Sequence, residues 1–248
     1  MNTSVRQTLA SLIAPALLCL ALLPFASHAA SLSGSGKSAT ETRALPEFQA
    51  ISLSGSMDLV VRQGDVQSVQ VQADDNLLPL LETVVETGSE GPALKVRWKK
   101  GQSFYTRSKV LVTVVVPKLT ALAASGSGDM RVEAFSTPVF KLAISGSGDV
   151  KLAGMNTGDL GIQISGSGDV AGTGTAAKLK ISIAGSGDVR LGDMKSDDVT
   201  VSIAGSGDAV VQAQKTLAVS IAGSGDVTYS GNATVKSSVA GSGSVSKR

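Results

Sequence analysis

Six serines and six aspartates recur in one arrangement: Gly126-Ser127-Gly128-Asp129, Gly146-Ser147-Gly148-Asp149, Gly166-Ser167-Gly168-Asp169, Gly185-Ser186-Gly187-Asp188, Gly205-Ser206-Gly207-Asp208 and Gly223-Ser224-Gly225-Asp226. A last copy, Gly241-Ser242-Gly243, ends in Ser244. A row of serines is a row of candidate nucleophiles, but a hydroxyl attacks only when a base takes its proton. The one histidine, His28, and the one cysteine, Cys19, both sit in an N-terminal segment expected to be removed on export. What is left has no imidazole base, thiol nucleophile, disulfide or usual zinc ligand set. The serines are read as a structural stripe, and no catalytic residue is assigned.

The aspartates invite a different chemistry, a ladder of carboxylates holding Ca²⁺. Carboxylates stacked about 5 Å apart repel by roughly 0.8 kcal/mol in water, which one local hydrogen bond from backbone N–H, about 1 kcal/mol, nearly offsets. Arg131, Lys151 and Arg190 follow Asp129, Asp149 and Asp188 by two residues and compete for them. Calcium also wants six or more oxygens. No metal or cofactor is expected, with a Ca-binding repeat as an alternative. The other alternative is a polysaccharide-active enzyme, which needs paired carboxylates in a cleft where aromatics stack on sugars. Only seven aromatics follow residue 30, and no acidic pair stands apart from the ladder. A non-enzymatic binding, adhesion or structural module is the expectation.

One stretch breaks the pattern, Arg97-Trp98-Lys99-Lys100-Gly101-Gln102-Ser103-Phe104-Tyr105-Thr106-Arg107. It gathers three aromatics among cations, a combination suited to an anionic envelope glycan or an acidic protein face. Trp98, Lys99, Lys100, Tyr105 and Arg107 are the candidate ligand-binding residues. The plain reading is a hairpin with Lys99-Lys100-Gly101-Gln102 as its solvated turn and Trp98 as a core residue covering one end of the array.

Something must hold these groups in place, and the repeat itself indicates what. The aspartates are spaced 20, 20, 19, 20 and 18 residues apart, one coil of a β-solenoid each. Within a copy, Ile181, Ile183, Gly185, Gly187, Val189 and Leu191 share one parity and point inward, while Ser182, Ser186, Asp188 and Arg190 point out. The inward rows include Ile144, Ile164, Ile183, Ile203 and Ile221. The inward glycines mark a corner with no room for a Cβ. Coils stack about 4.8 Å apart, so each buries its apolar face only by covering the next.

Residues 43–120 read as irregular coils, with strands near Phe48–Leu53, Leu59–Arg62, Val66–Val71, Leu94–Trp98 and Val110–Val116. Asp75–Glu86 reads as a short amphipathic helix with Asp75 as N-cap. Residues 30–42, with Ser33-Gly34-Ser35-Gly36, read as a flexible lead-in.

The N-terminus carries Arg6, an apolar run from Leu9 to Phe25 and then Ala26-Ser27-His28-Ala29-Ala30. That is a secretory signal peptide over residues 1–29, cleaved after Ala29. Cys19 lies in mid-run, so no lipid anchor is expected. Cleavage lowers the formal charge from +2 to +1 by removing Arg6, which argues against nucleic acid as a partner. No further apolar run is long enough to span a bilayer as a helix. The protein is therefore expected to be exported through the secretory pathway and to be periplasmic, outer-membrane-associated or extracellular.

Phe48 and Ile51 before Gly55, Asp58-Leu59-Val60 leading to Gln63-Gly64, Asp75-Asn76-Leu77-Leu78 and the serial Gly-Ser-Gly-Asp coils together resemble the GIN domain, the head of auto-transporter adhesins. The likeness runs over residues 43–246. It implies an all-β, right-handed parallel β-helix in an exported bacterial protein, one solenoid domain with regular coils over 121–246. No alternating strands of a translocator barrel are expected after the last coil.

Overall fold

The computed structural model describes residues 32–88 and 91–248. The expected export signal, residues 1–29, lies outside them. The regular structure of the described chain is almost entirely strand, stacked as a parallel β-solenoid. Its regular part begins with β10 (Ala121–Gly126), β11 (Met130–Glu133) and β12 (Ser136–Gly146), as numbered in chain order. It continues through β13 (Val150–Gly166), β14 (Val170–Gly185), β15 (Val189–Gly205) and β16 (Ala209–Gly223) to β17 (Val227–Ser230), β18 (Thr234–Gly241) and β19 (Val245–Lys247).

The inward parity holds. Ile144, Ile164, Ile183, Ile203 and Ile221 pair in register from coil to coil, and each is at most 2% exposed. Leu142, Ile162, Ile181, Val201 and Val219 form a second ladder two residues earlier. Burying each such side chain is worth about 1.5–3 kcal/mol, so cohesion comes from rows rather than from any single contact.

The corner glycines answer to the stack more than to the interior. A Cβ on Gly187 would lie 2.3 Å from the carbonyl oxygen of Gly168 in the preceding coil. At Gly185, with φ near +136°, it would lie 2.2 Å from the carbonyl of Gly166. The expected crowding is real, but what crowds is the neighbouring backbone.

Chain order and stacking order part company upstream. The coil of β3 (Ala50–Ser54) and β4 (Asp58–Gln63) lies directly against β10 and β11, with Leu122 opposite Ile51 and Met130 opposite Leu59. On its other side lie β7 (Gly91–Trp98) and β9 (Leu111–Val116), again in parallel. That outermost coil is closed by antiparallel strands: β6 (Leu81–Gly88) on β7, and β5 (Ser68–Asp74) on β9. The parallel stack ends here, with antiparallel strands covering the edges of β7 and β9.

Two expectations fail here. The helix over Asp75–Glu86 is replaced by a 3-10 turn, Leu78–Leu80, running into β6. Pro79 and the β-branched Thr83-Val84-Val85 disfavour a helix, and one turn is enough to bury Leu77, Leu78 and Leu81. Asp75 does not cap it, and instead accepts a hydrogen bond from the Ser35 hydroxyl at 2.5 Å. The flexible lead-in is strand-paired. β1 (Leu32–Ser33) runs parallel to β8 (Phe104–Tyr105), and β2 (Ser38–Thr42) runs antiparallel to β5.

Candidate functional site

Three residues turn the corner between β3 and β4 and between β10 and β11, whereas residues 99–110 intervene between β7 and β9. This excursion stands beside the stripe of corner serines and aspartates. Met57 occupies the place that Gly128 holds in the next coil. A Cβ at Gly128 would strike the Met57 carbonyl at 1.8 Å, but the coil that Met57 itself faces has its corner opened by the excursion, so a side chain fits and is fully buried. Trp98 fills the same opening, its Cδ1 3.1 Å from where a Cβ on Gly55 would lie, and packs its ring at 4.2 Å and 48° to Phe104.

The excursion is held by a carboxylate. Asp74, at the end of β5, is 1% exposed and accepts the Ser108 hydroxyl at 2.6 Å and the Thr106 hydroxyl at 2.7 Å. Those hydroxyls and the Gly36 amide hold its carboxyl below the usual carboxylate range, against the opposing pull of burial. The arm of residues 32–36 closes the other side: Leu32 N–H donates to Ser103 and Gly34 N–H to Tyr105.

The result is a cleft of about 620 Å³ walled by Trp98, Phe104 and Tyr105, floored by Ser56 and Ser127, and rimmed by Lys109. Ser56 and Ser127 share a hydrogen bond of 2.9 Å, and Tyr105 is 58% exposed. Of the five candidate residues, Trp98 and Tyr105 line this cleft. Arg107 is exposed beside it with its Nε donating to the Tyr105 hydroxyl at 3.3 Å, while Lys99 and Lys100 lie on the solvated turn outside the lining. Asp58 is the acid on the lining: its Oδ1 accepts the Asp129 amide at 3.1 Å, and its Oδ2 is 3.6 Å from the Lys109 ammonium.

The aspartate stripe is engaged in the same way. Asp149, Asp169, Asp188 and Asp208 each accept, on one carboxylate oxygen, the backbone N–H of the next aspartate at 2.8–3.0 Å. The hydrogen bond expected to be local thus runs between coils. Arg190 adds its guanidinium to Asp169 and Asp188, 2.8 Å from each. Burial pushes the Asp169 carboxyl up, but the Asp188 amide and Arg190 outweigh it and leave it below its usual value. Among the described residues no cluster of three metal-ligating side chains forms.

The family model described as "Putative auto-transporter adhesin, head GIN domain" matches residues 47–233. The chain belongs to this GIN-domain family. Three solved structures share the fold of this GIN domain, and each covers 88% of the chain. A putative adhesin from Bacteroides fragilis superposes with a TM-score of 0.83 at 23% identity over 100% of its own chain. A putative lipid binding protein from Parabacteroides distasonis does so at 0.73 and 27% over 99% of its chain. A putative adhesin from Parabacteroides merdae gives 0.67 and 22% over 99%. No curated relative matches the sequence.

Sequence reasoning missed the hub of this GIN domain's excursion. Asp74-Asp75-Asn76 looks like a polar turn closing an alternating strand, and nothing local shows that the first acid is buried. Ser33-Gly34-Ser35-Gly36-Lys37, which has the composition of a phosphate cradle, spends its amides internally. Ser35 N–H donates to Asn76, Lys37 N–H to the Ser35 hydroxyl, and Gly36 N–H to Asp74.

Proposed function

We propose that this GIN domain is an exported, non-enzymatic binding module that takes an acidic glycan of the cell envelope in the cleft between the excursion and the serine stripe. The observation that carries this reading is the local breakdown of the repeat. At the β7–β9 corner a twelve-residue segment, 99–110, replaces a three-residue turn and places Phe104 and Tyr105, together with Trp98 at the end of β7, beside paired serine hydroxyls. Aromatic faces stack on sugar rings, hydroxyls meet sugar hydroxyls, and Arg107 and Lys109 supply charge for carboxylates. Asp58, already engaged by the Asp129 amide and Lys109, leaves no free carboxylate pair on the lining, which favours binding over hydrolysis. Among the described residues no helix is long and apolar enough to cross a membrane.

The test is retention on the cell's own envelope glycans at low salt. Combined replacement of Lys99, Lys100, Arg107 and Tyr105 by Ala should abolish retention while leaving the melting transition in place. Unchanged retention would return binding to the Ser and Asp stripe.

A further inference from the structure

One wall of the cleft is the excursion, and one buried group ties that excursion to the N-terminal arm, a segment far away in sequence that backs it without lining the cleft. The excursion reaches Asp74 through the Thr106 and Ser108 hydroxyls, and both residues line the cleft. The N-terminal arm reaches it through the Gly36 amide. The arm also packs so closely that a Cβ on Gly34 would lie 1.9 Å from the Asp74 Oδ2. β1 and β8 then pair above it through only two residues each, too few to hold by themselves. Asn76 and Asp75, immediately after Asp74, bind the arm a second time through Ser33 and Ser35.

We infer that Asp74 is the positioning residue of the cleft, locking the N-terminal arm and the excursion to each other so that neither holds its shape without the other. The inference rests on the cleft reading for its function, but its physical content is a coupling between two segments. A coupling of this kind is reciprocal. Loosening the arm must loosen the excursion, and loosening the excursion must free the arm, over and above the backbone hydrogen bonds that join Leu32 to Ser103 and Gly34 to Tyr105 directly.

Three variants of the full chain perturb the lock from different sides: Gly34→Ala from the arm, Thr106→Val with Ser108→Ala from the excursion, and Asp74→Asn at the hub. Amide hydrogen exchange is followed at Leu32 and Gly34 on the arm and at Ser108 on the excursion. Emission and quenching of Trp98, the chain's single tryptophan, report the cleft wall. Gly34→Ala should speed exchange at Ser108, the excursion double variant at Leu32 and Gly34, and Asp74→Asn at all three, by about tenfold or more, the scale of a lost hydrogen bond to a charged group. Each should also expose Trp98 to quencher while the solenoid's melting transition stays in place. If Gly34→Ala leaves the Ser108 amide protected, or the excursion double variant leaves Leu32 and Gly34 protected, the coupling is refuted. If Asp74→Asn loses glycan retention with exchange unchanged, the carboxylate touches the ligand itself and the positioning role is wrong. If the wild-type protein retains no glycan, the cleft reading fails, and the coupling stands or falls on exchange alone.

Discussion

The carboxylate of Asp188 accepts the backbone N–H of Asp208, twenty residues later, at 3.0 Å, and Asp208 does the same for Asp226 at 2.8 Å. This relationship offsets the mutual repulsion of like charges stacked at the corner, since each of these carboxylates serves an amide that the sharp turn leaves outside the ladder. Replacing Asp188 by Ala should cost about 1–2 kcal/mol, and Asp188→Asn, which keeps an acceptor oxygen, clearly less. Denaturant melts of the two variants decide it. Melts in EDTA and in excess Ca²⁺ should coincide, whereas a calcium-dependent rise would mean that the ladder holds the ion.

Glycine at the corner is demanded by the preceding coil. Gly187→Ala should destabilise by several kcal/mol, because its methyl would meet the Gly168 carbonyl and backbone cannot give way without unpairing the stack. Gly161→Ala is the internal control: nothing lies within 4 Å of the added carbon, so stability should stay within about 0.5 kcal/mol. Ser186→Ala on the outer stripe should be equally mild, and Ile183→Asp should unfold the array. Equal losses at Gly187 and Gly161 would remove the steric account.

Inside the solenoid, Thr157, Ala176, Ser196 and Ala213 stand in register on one row. Thr157 returns its hydroxyl to the Asp159 carbonyl at 3.2 Å, but the Ser196 hydroxyl is buried with no partner among the described residues. Ser196→Ala should therefore stabilise the protein by up to about 1 kcal/mol, seen as a higher melting temperature. A loss of stability would show that the hydroxyl is satisfied in solution.

What the sequence reveals about this protein depends on how local the determinant is. Alternation at Ile181–Leu191 and the spacing of Asp129 to Asp226 depend only on nearby residues, so strands, inward rows and coil length were all readable. The stacking of Ala50–Ser54 on Ala121–Gly126 was not, because 71 residues separate partners that elsewhere lie about 20 apart, and Met57 disguises the Gly55-Ser56-Met57-Asp58 corner. Leu77, Leu78 and Leu81 carry a helical spacing that one 3-10 turn satisfies, which is why Asp75–Glu86 misled. The excursion was visible as a break in the repeat, whereas Asp74 was invisible because its burial is produced by an arm 40 residues away.

Acid should open the excursion before it melts the coils. The Asp74 carboxyl titrates lower in the folded protein than its unfolded value of 3.8. Its contribution is therefore complete above that pH and is lost as pH falls below it through the depressed value. Trp98 emission should be flat from neutral pH to about pH 5 and shift below 3.8, with Asp74→Asn showing the shifted emission at every pH. A transition centred above 3.8, or one unaffected by Asp74→Asn, would show that another group governs the loop.

The most direct test of the central claim, that binding resides at the broken corner and not on the repeated coils, is a titration of Trp98 fluorescence with purified acidic envelope glycans. The account predicts a saturable change in emission that Tyr105→Ala abolishes and that Ser206→Ala with Asp208→Asn, far along the stripe, leaves intact. A saturable interaction that ignores Tyr105→Ala and disappears with the stripe variant would contradict it.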